Sequence, residues 1–301
     1  MNNSNHNSDL LSLVKLDKLM KISSGSSKVS IGLIDGFVDL SHSAFDSSSI
    51  KIINKNEYDK YLIRSSFSAI HGTFIAGILA SKRSSHAPAI CPSCNIVIHP
   101  IFYGSDKGSN HQNISTIENL SNAIIQMVNS NVNIINLSVG LSNSFQKYQN
   151  LEDAYEYARK NGVIIIVASG NQGYSGYVST VNNRWVIPVA ACDRSGKPSI
   201  NSNFGISIGK RGILSPGINV KSTIPNNKYG YMSGTSVATA FVTGGIALLL
   251  SINPDLTAYK IIYLIRKNRI AKNKSIIPSL IDFKEIFDDS INNSSLVTAK
   301  F

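Results

Sequence analysis

Short apolar runs rich in Val and Ile recur along this chain, at 29–34, 96–101, 134–138, 163–168 and 185–191, each bounded by Gly or polar residues. A strand that is apolar on both faces meets water on neither. Runs of this kind therefore read as the buried strands of a parallel sheet covered on both sides. Parallel neighbours need long crossovers, and helix-like segments lie between the runs. Residues 71–81, 114–129 and 151–160 carry apolar residues at helical spacing. Residues 235–252 are apolar almost throughout, which marks a helix buried on every side. Residues 257–267 follow a turn and cap at Asn253-Pro254-Asp255. The expected fold class is α/β, three layers, with a mainly parallel sheet flanked by helices.

The 301 residues accommodate one large domain with a well-buried core. With 43% hydrophobic and 16% charged residues, a compact globular protein is favoured over a disordered or coiled-coil chain. The expected organisation is an N-terminal extension over 1–26, a main domain over 27–289 and a loosely held tail over 290–301. Within the extension, Leu10 to Met20 reads as one short docking helix. No stretch of eighteen wholly apolar residues is present, so no transmembrane helix is expected. The polar start, Met1 to Ser8, lacks a basic region followed by an apolar core and does not read as a secretory signal. A cytoplasmic location is the default expectation.

Three cysteines, Cys91, Cys94 and Cys192, are an odd count that argues against a disulfide framework. Cys91-Pro92-Ser93-Cys94 has metal-compatible spacing, but zinc needs about four ligands and no second pair exists. It reads as a structural or incidental pair, and a reducing compartment disfavours a disulfide there. No metal or cofactor is expected. The net charge is +11, with its densest stretch at Arg266, Lys267, Arg269, Lys272 and Lys274. Aromatic residues do not interleave with these cations, so a solvated helix face is favoured over a nucleic-acid surface.

Four segments carry candidate chemistry. Ser233-Gly234-Thr235-Ser236 precedes the apolar helix, where the dipole and free N–H groups favour developing negative charge. Read alone, Thr235 or Ser236 is an ordinary helix cap. Serine needs an adjacent base, and His71, in His71-Gly72-Thr73 at an apparent helix start, is the candidate. The base needs a carboxylate to orient it. Asp35 ends the first apolar strand, where open α/β sheets build their sites. Asp39, beyond the strand, competes with it. Finally, Ser169-Gly170-Asn171 follows the strongest strand, and the Asn171 amide can donate to an oxyanion together with the Ser236 N–H. Each segment alone has a bland reading. Together, in the order Asp, His, Ser, they form an acyl-transfer constellation.

At these residues the chain resembles the subtilisin family of serine proteases. The matching segments are Ile34-Asp35-Gly36, His71-Gly72-Thr73 with Ala76-Gly77, and Gly234-Thr235-Ser236-Val237-Ala238-Thr239. Ser169-Gly170-Asn171 is similar to the family's oxyanion segment, and Ser215-Pro216-Gly217 to its turn before the last strand pair. The likeness spans about residues 27 to 270. It implies a subtilisin-like catalytic domain, a triad of Asp35, His71 and Ser236, and a peptide bound along Ser138, Val139 and Gly140 with Gly170 at the wall of the specificity pocket. A closer likeness, carried by 33–42 and by 91–102, is to the PatA-type proteases of cyanobactin maturation. It implies cleavage of a leader or recognition sequence from a ribosomal precursor peptide as the partner substrate.

The chain departs from the family pattern in two places. Ala240 stands where the family usually has Pro, which removes a kink. The loop 81–86 offers Lys82 and Arg83 but no carboxylate, so no calcium is expected there. The residues ahead of the first strand are too few for an inhibitory prodomain, and unaided folding is expected. Three rivals stay open: a macrocyclase on the same fold, a general intracellular protease, and a non-catalytic peptide-binding scaffold. No helical insert near His71 is legible, which favours hydrolysis over cyclisation.

Overall fold

The structure, a computed structural model, describes residues 7–53, 65–102, 116–138, 148–176, 181–267 and 275–292. The chain opens with helices α1 (Ser8–Leu13) and α2 (Leu16–Ile22), then strands β1 (Ser30–Asp35) and β2 (Ile50–Ile52). Helix α3 (Phe67–Ala80), β3 (Asn95–Pro100), α4 (Ile117–Asn129), β4 (Ile134–Leu137), α5 (Gln149–Lys160), β5 (Ile164–Ala168) and β6 (Ile187–Cys192) follow. Next come α6 (Ile206–Arg211), β7 (Ile213–Pro216) and the antiparallel pair β8 (Val220–Ile224) and β9 (Lys228–Met232). Helices α7 (Thr235–Ile252), α8 (Ala258–Lys267) and α9 (Phe283–Asn292) end the described chain.

Strands β1 to β7 form one parallel sheet in the order β2-β3-β1-β4-β5-β6-β7. The chain builds outward from β1 in one direction through β3 and in the other through β4. The boundary between β1 and β4 is therefore the topological switch point, where a crevice opens beyond the carboxyl ends of the strands. Asp35 closes β1, and Ser138 lies one residue past β4. The expected strands thus form, with ends shifted by a residue or two.

Pairing register places the layers. Gly32 opposes Ile135 and Leu33 opposes Asn136 across β1 and β4. Gly32 turns to α4, where the Met127 sulfur lies 2.8 Å from where a Cβ would stand. Asn136 turns to the other face and accepts from the Thr243 hydroxyl of α7 at 2.9 Å. Helices therefore cover both faces, which is why the strands need no polar side. Helix α7 crosses β4 to β7 and packs on α3. By length and composition it would suit a membrane, but 83% of it is buried inside the fold, which accounts for its apolarity.

The helix carrying His71 differs from its sequence reading. It begins at Phe67, with Ser66 as cap accepting from the Ala69 N–H at 3.2 Å. His71 thus sits in the second turn, not at the start. The N-terminal extension also differs, for it forms two helices rather than one. Lys15 has φ 60°, a left-handed break between α1 and α2. The break lets Leu10, Leu11, Val14, Leu16 and Leu19 all enter the main core. Residues 290–292 are not loose: they end α9, where buried Ser290 donates to the Phe287 carbonyl at 2.7 Å.

Phe241 projects from α7 into the core with 1% exposure. Replacing it by Ala leaves a cavity in a close-packed interior, and Phe241→Ala should lower unfolding free energy by about 3–5 kcal/mol. Urea titration checks this, with the midpoint falling at unchanged slope.

Candidate active site

The carboxylate comes first because the sheet fixes it. Asp35 is the last residue of β1, fully buried, and its Oδ1 accepts from the Gly36 N–H at 2.6 Å. The same oxygen meets His71 Nδ1 at 2.6 Å. A carboxylate accepts only, so Nδ1 donates and the ring presents Nε2 outward as the basic nitrogen when the imidazole is neutral. Asp35 Oδ2 is buried and has no partner among the described residues. Asp39 does not compete. Its oxygens accept from the Ser41 N–H and hydroxyl and from the Asn226 N–H, pinning the β8–β9 turn.

The geometry of this pair depends on backbone contact. A Cβ at Gly72 would lie 2.4 Å from the Phe37 carbonyl oxygen, and one at Gly36 would lie 2.1 Å from that of Ser68. Helix α3 therefore lies against the chain leaving β1 with no room for a side chain. This closeness, rather than a helix start, brings His71 onto Asp35.

Ser236 is the second residue of α7, whose first-turn N–H groups lack intrahelical partners. Its hydroxyl donates to the Ser138 carbonyl at 3.4 Å. Leu137 opposes Ile34 across β4 and β1. Asp35 and Ser138 thus end neighbouring strands, which lie about 4.8 Å apart. His71 is bonded to the residue that ends β1 and Ser236 to the residue that follows β4, so both lie at the switch point. Exposure rises from Asp35, whose side chain is 1% exposed, to that of His71 at 15%. The carboxylate is sealed while the imidazole reaches solvent.

Asn171 lies at the mouth, exposed, on the bend after β5. Its Oδ1 accepts from the Thr235 N–H at 2.9 Å. An N–H partner requires an acceptor, so the amide oxygen is engaged by Thr235 and the Nδ2 donors remain for another acceptor. Gly170, with φ +100°, makes the bend, and its N–H donates to the Thr235 hydroxyl at 3.2 Å. Gly170, Asn171, Thr235 and Ser236 are thereby one bonded unit. Ser138 lies beside them, whereas Val139 and Gly140 lie outside the described residues.

Several supporting residues escape a reading of the sequence. Asn203, 1% exposed, accepts from the Gln172 and Tyr174 N–H groups and donates to the Gln172 side chain, holding the Asn171 bend from thirty residues away. Asn136 links Thr243 of α7 to the Ser138 hydroxyl at 2.9 Å on each side. The sole signal for Asn136 was a polar residue inside an apolar strand. Asn203 gave none, since its partners are distant in sequence. Phe67 is 70% exposed, with its ring centroid 6.0 Å from that of His71.

Electrostatics favours a charged imidazole. Burial pulls the His71 pKa down, but the Asp35 charge and its hydrogen bond together outweigh burial, so it stands above the usual 6.5. The Cys91, Cys94 and Cys192 thiols are free and buried.

Comparison with known proteins places the chain in a family. Residues 26–285 match the family described as "Subtilase family". A thermophilic serine proteinase of Bacillus sp. (strain AK1) is 32% identical over 237 residues, covering 78% of this chain and 55% of that protein. The chain thus spans about half the length of that relative. Among solved structures, the prenylagaramide maturation protease PagA is 28% identical with a TM-score of 0.78, covering 91% of this chain and 97% of that one. The patellamide maturation protease PatA is 27% identical with a TM-score of 0.74, covering 89% and 98% respectively.

A raised imidazole pKa has a defined sign in stability. The contribution of the His71–Asp35 pair is complete below the unfolded value of 6.5 and is lost as pH rises through the folded value. Histidine titration by NMR should place His71 above 6.5 in the wild type. In Asp35→Asn, with only burial left acting, it should fall below that value.

Proposed function

The chain belongs to the subtilase family, and on that footing we propose that it is a serine endopeptidase that cleaves a ribosomally made precursor peptide between its leader or recognition sequence and its product. The observation that carries the catalytic part is the 2.6 Å bond from His71 Nδ1 to Asp35 at the end of β1, with the Ser236 hydroxyl on the carbonyl of Ser138 just past the neighbouring strand. The precursor-peptide part is supported by the likeness to PagA and PatA, at 28% and 27% identity over about nine-tenths of the chain.

The reaction follows from the geometry. An extended peptide lies beside Ser138, adding its backbone to the end of β4. His71 Nε2 takes the hydroxyl proton as Ser236 Oγ attacks the scissile carbonyl. Asp35 holds the Nδ1 proton and stabilises the imidazolium, which its raised pKa favours. The Asn171 amide and the Ser236 N–H donate to the oxyanion. His71 then gives its proton to the leaving amine, and water, activated by the same nitrogen, resolves the acyl-enzyme. Phe67 beside His71 offers an apolar surface to a substrate side chain flanking the scissile bond.

Ser236→Ala should abolish cleavage of a precursor peptide without altering the circular dichroism spectrum. A fluorophosphonate should label Ser236 in the wild type and nothing in the variant, and label at another residue would end the assignment. Asn171→Ala should lower kcat by about 10²–10³ with little change in KM. The acid limb of kcat/KM should fall above pH 6.5, since the neutral imidazole is the working form. Mass spectrometry of the product distinguishes hydrolysis from cyclisation, because a ring is lighter than the linear product by one water.

A further inference from the structure

The Cys91-Pro92-Ser93-Cys94 turn takes no part in that reaction, yet its two thiols are arranged for chemistry of their own. Both are free and buried. The Cys94 N–H donates to the Cys91 carbonyl at 3.0 Å, closing a four-residue turn. Such a turn holds its end Cα atoms within about 7 Å, and a disulfide needs roughly 4.4–6.8 Å. Each thiol shifts the other's ionisation, so the two side chains lie within interaction range.

The surroundings separate the two sulfurs. The Cys91 hydrogen bond, a Ser26 backbone contact and the Ser251 hydroxyl hold Cys94 down to about 7 against burial. Cys91, the donor of the pair, is pushed well above the ordinary thiol range by that bond and by burial. The Arg83 guanidinium stands beside Cys91, fixed by the carbonyls of Met20, Ser23 and Ile90. An easily ionised sulfur paired with a protonated one is the division of labour of an attacking and a resolving cysteine. Cys192 supplies an internal contrast, because burial pushes it up to about 12 and it has no thiol partner.

We propose that Cys91 and Cys94 form a reversible dithiol–disulfide site whose oxidant is a small peroxide. The Cys94 thiolate attacks one oxygen of hydrogen peroxide. The O–O bond breaks, hydroxide leaves and is protonated to water, and Cys94 carries a sulfenic acid. The Cys91 sulfur then attacks the Cys94 sulfur. The S–S bond forms, the S–O bond breaks, and the hydroxyl departs as a second water with the Cys91 proton. Two thiols lose two electrons, and one peroxide becomes two waters. A dithiol reductant returns both electrons and protons.

The turn lies where three segments join. Its Ser93 N–H donates to the Ser24 carbonyl at 2.9 Å, and the two serine hydroxyls lie 2.9 Å apart. Gly25, with φ +100°, passes so close that a Cβ there would stand 2.7 Å from the Cys94 sulfur. The Cys91 N–H donates to the Leu79 carbonyl near the end of α3, and Ser251 belongs to the last turn of α7. The disulfide therefore stiffens the turn on which the segment entering β1 and the far ends of the helices carrying His71 and Ser236 pack. It also restricts the unfolded chain, so the oxidised protein unfolds at a higher temperature.

The test treats the folded full chain with a small molar excess of hydrogen peroxide, then counts thiols after denaturation and maps the peptides. The expected result is a fall from the three free thiols to one. The peptide holding Cys91 and Cys94 becomes about 2 Da lighter, Cys192 stays reduced, and Tm rises. Dithiothreitol should reverse all of these changes. In Cys91→Ser the reaction should stop at a Cys94 sulfenic acid that dimedone captures, with no such adduct in the wild type. If that variant does not fold, the wild-type map decides alone. Persistence of three thiols, oxidation of Cys192 at the rate of the pair, or a Cys94 sulfinic acid without the disulfide would each overturn the proposal.

Discussion

The site rests on a contact between two stretches of backbone. Where β1 ends, the chain at Gly36 and Phe37 touches helix α3 at Ser68 and Gly72 with no side chain between them. No other residue type allows that approach, because even a methyl group would overlap a carbonyl oxygen. The imidazole of His71 falls on the Asp35 carboxylate as a consequence. Sheet and helix thus set the distance between base and orienting acid before any substrate arrives, which is the preorganisation that proton transfer from a serine requires.

A second constraint acts from the other side of the crevice. Helix α7 is apolar enough to be buried along its length, and burial against β4 to β7 fixes where its first turn lies. The Thr243–Asn136–Ser138 chain ties that helix to the end of β4 by polar bonds inside an otherwise apolar core. A buried polar chain is stable only when its members satisfy one another, and such chains specify position more than they add stability. Here the position specified is that of the Ser138 carbonyl, and hence of the Ser236 hydroxyl beside it. The Asn171 bend is then held to α7 through Thr235. The residues proposed as nucleophile, base and oxyanion donors are each tied by hydrogen bonds to a helix or strand end.

The far ends of α3 and α7 are joined as well, through the Cys91–Cys94 turn and the Arg83 guanidinium. An arginine that satisfies carbonyls from the segments at 20–23 and at 90 collects acceptors that otherwise need water or a cation. The two helices that carry Ser236 and His71 are therefore secured at both ends, by polar contacts at the crevice and by this junction behind it.

Much of this was legible in the residues. Buried parallel strands announced themselves as uninterrupted Val and Ile, since water touches neither face. The burial of α7 followed from its composition, and Asp35, His71, Asn171 and Ser236 stood out because acyl transfer needs those groups near helix and strand ends. Segments whose character comes from neighbours were not legible. β2 has three residues and a lysine in its middle. The start of α3 is set by the Ser66 cap, and the break at Lys15 separates two short helices whose leucines all enter the core. Asn203 and Asn136 act through partners about thirty and a hundred residues away. Sequence by itself determined which chemical groups were available and which segments had to be buried, because those depend on side-chain type and local period. Tertiary structure alone decided which carboxylate meets the imidazole, Asp35 rather than Asp39, because that choice is made by the close approach of two backbones distant along the chain.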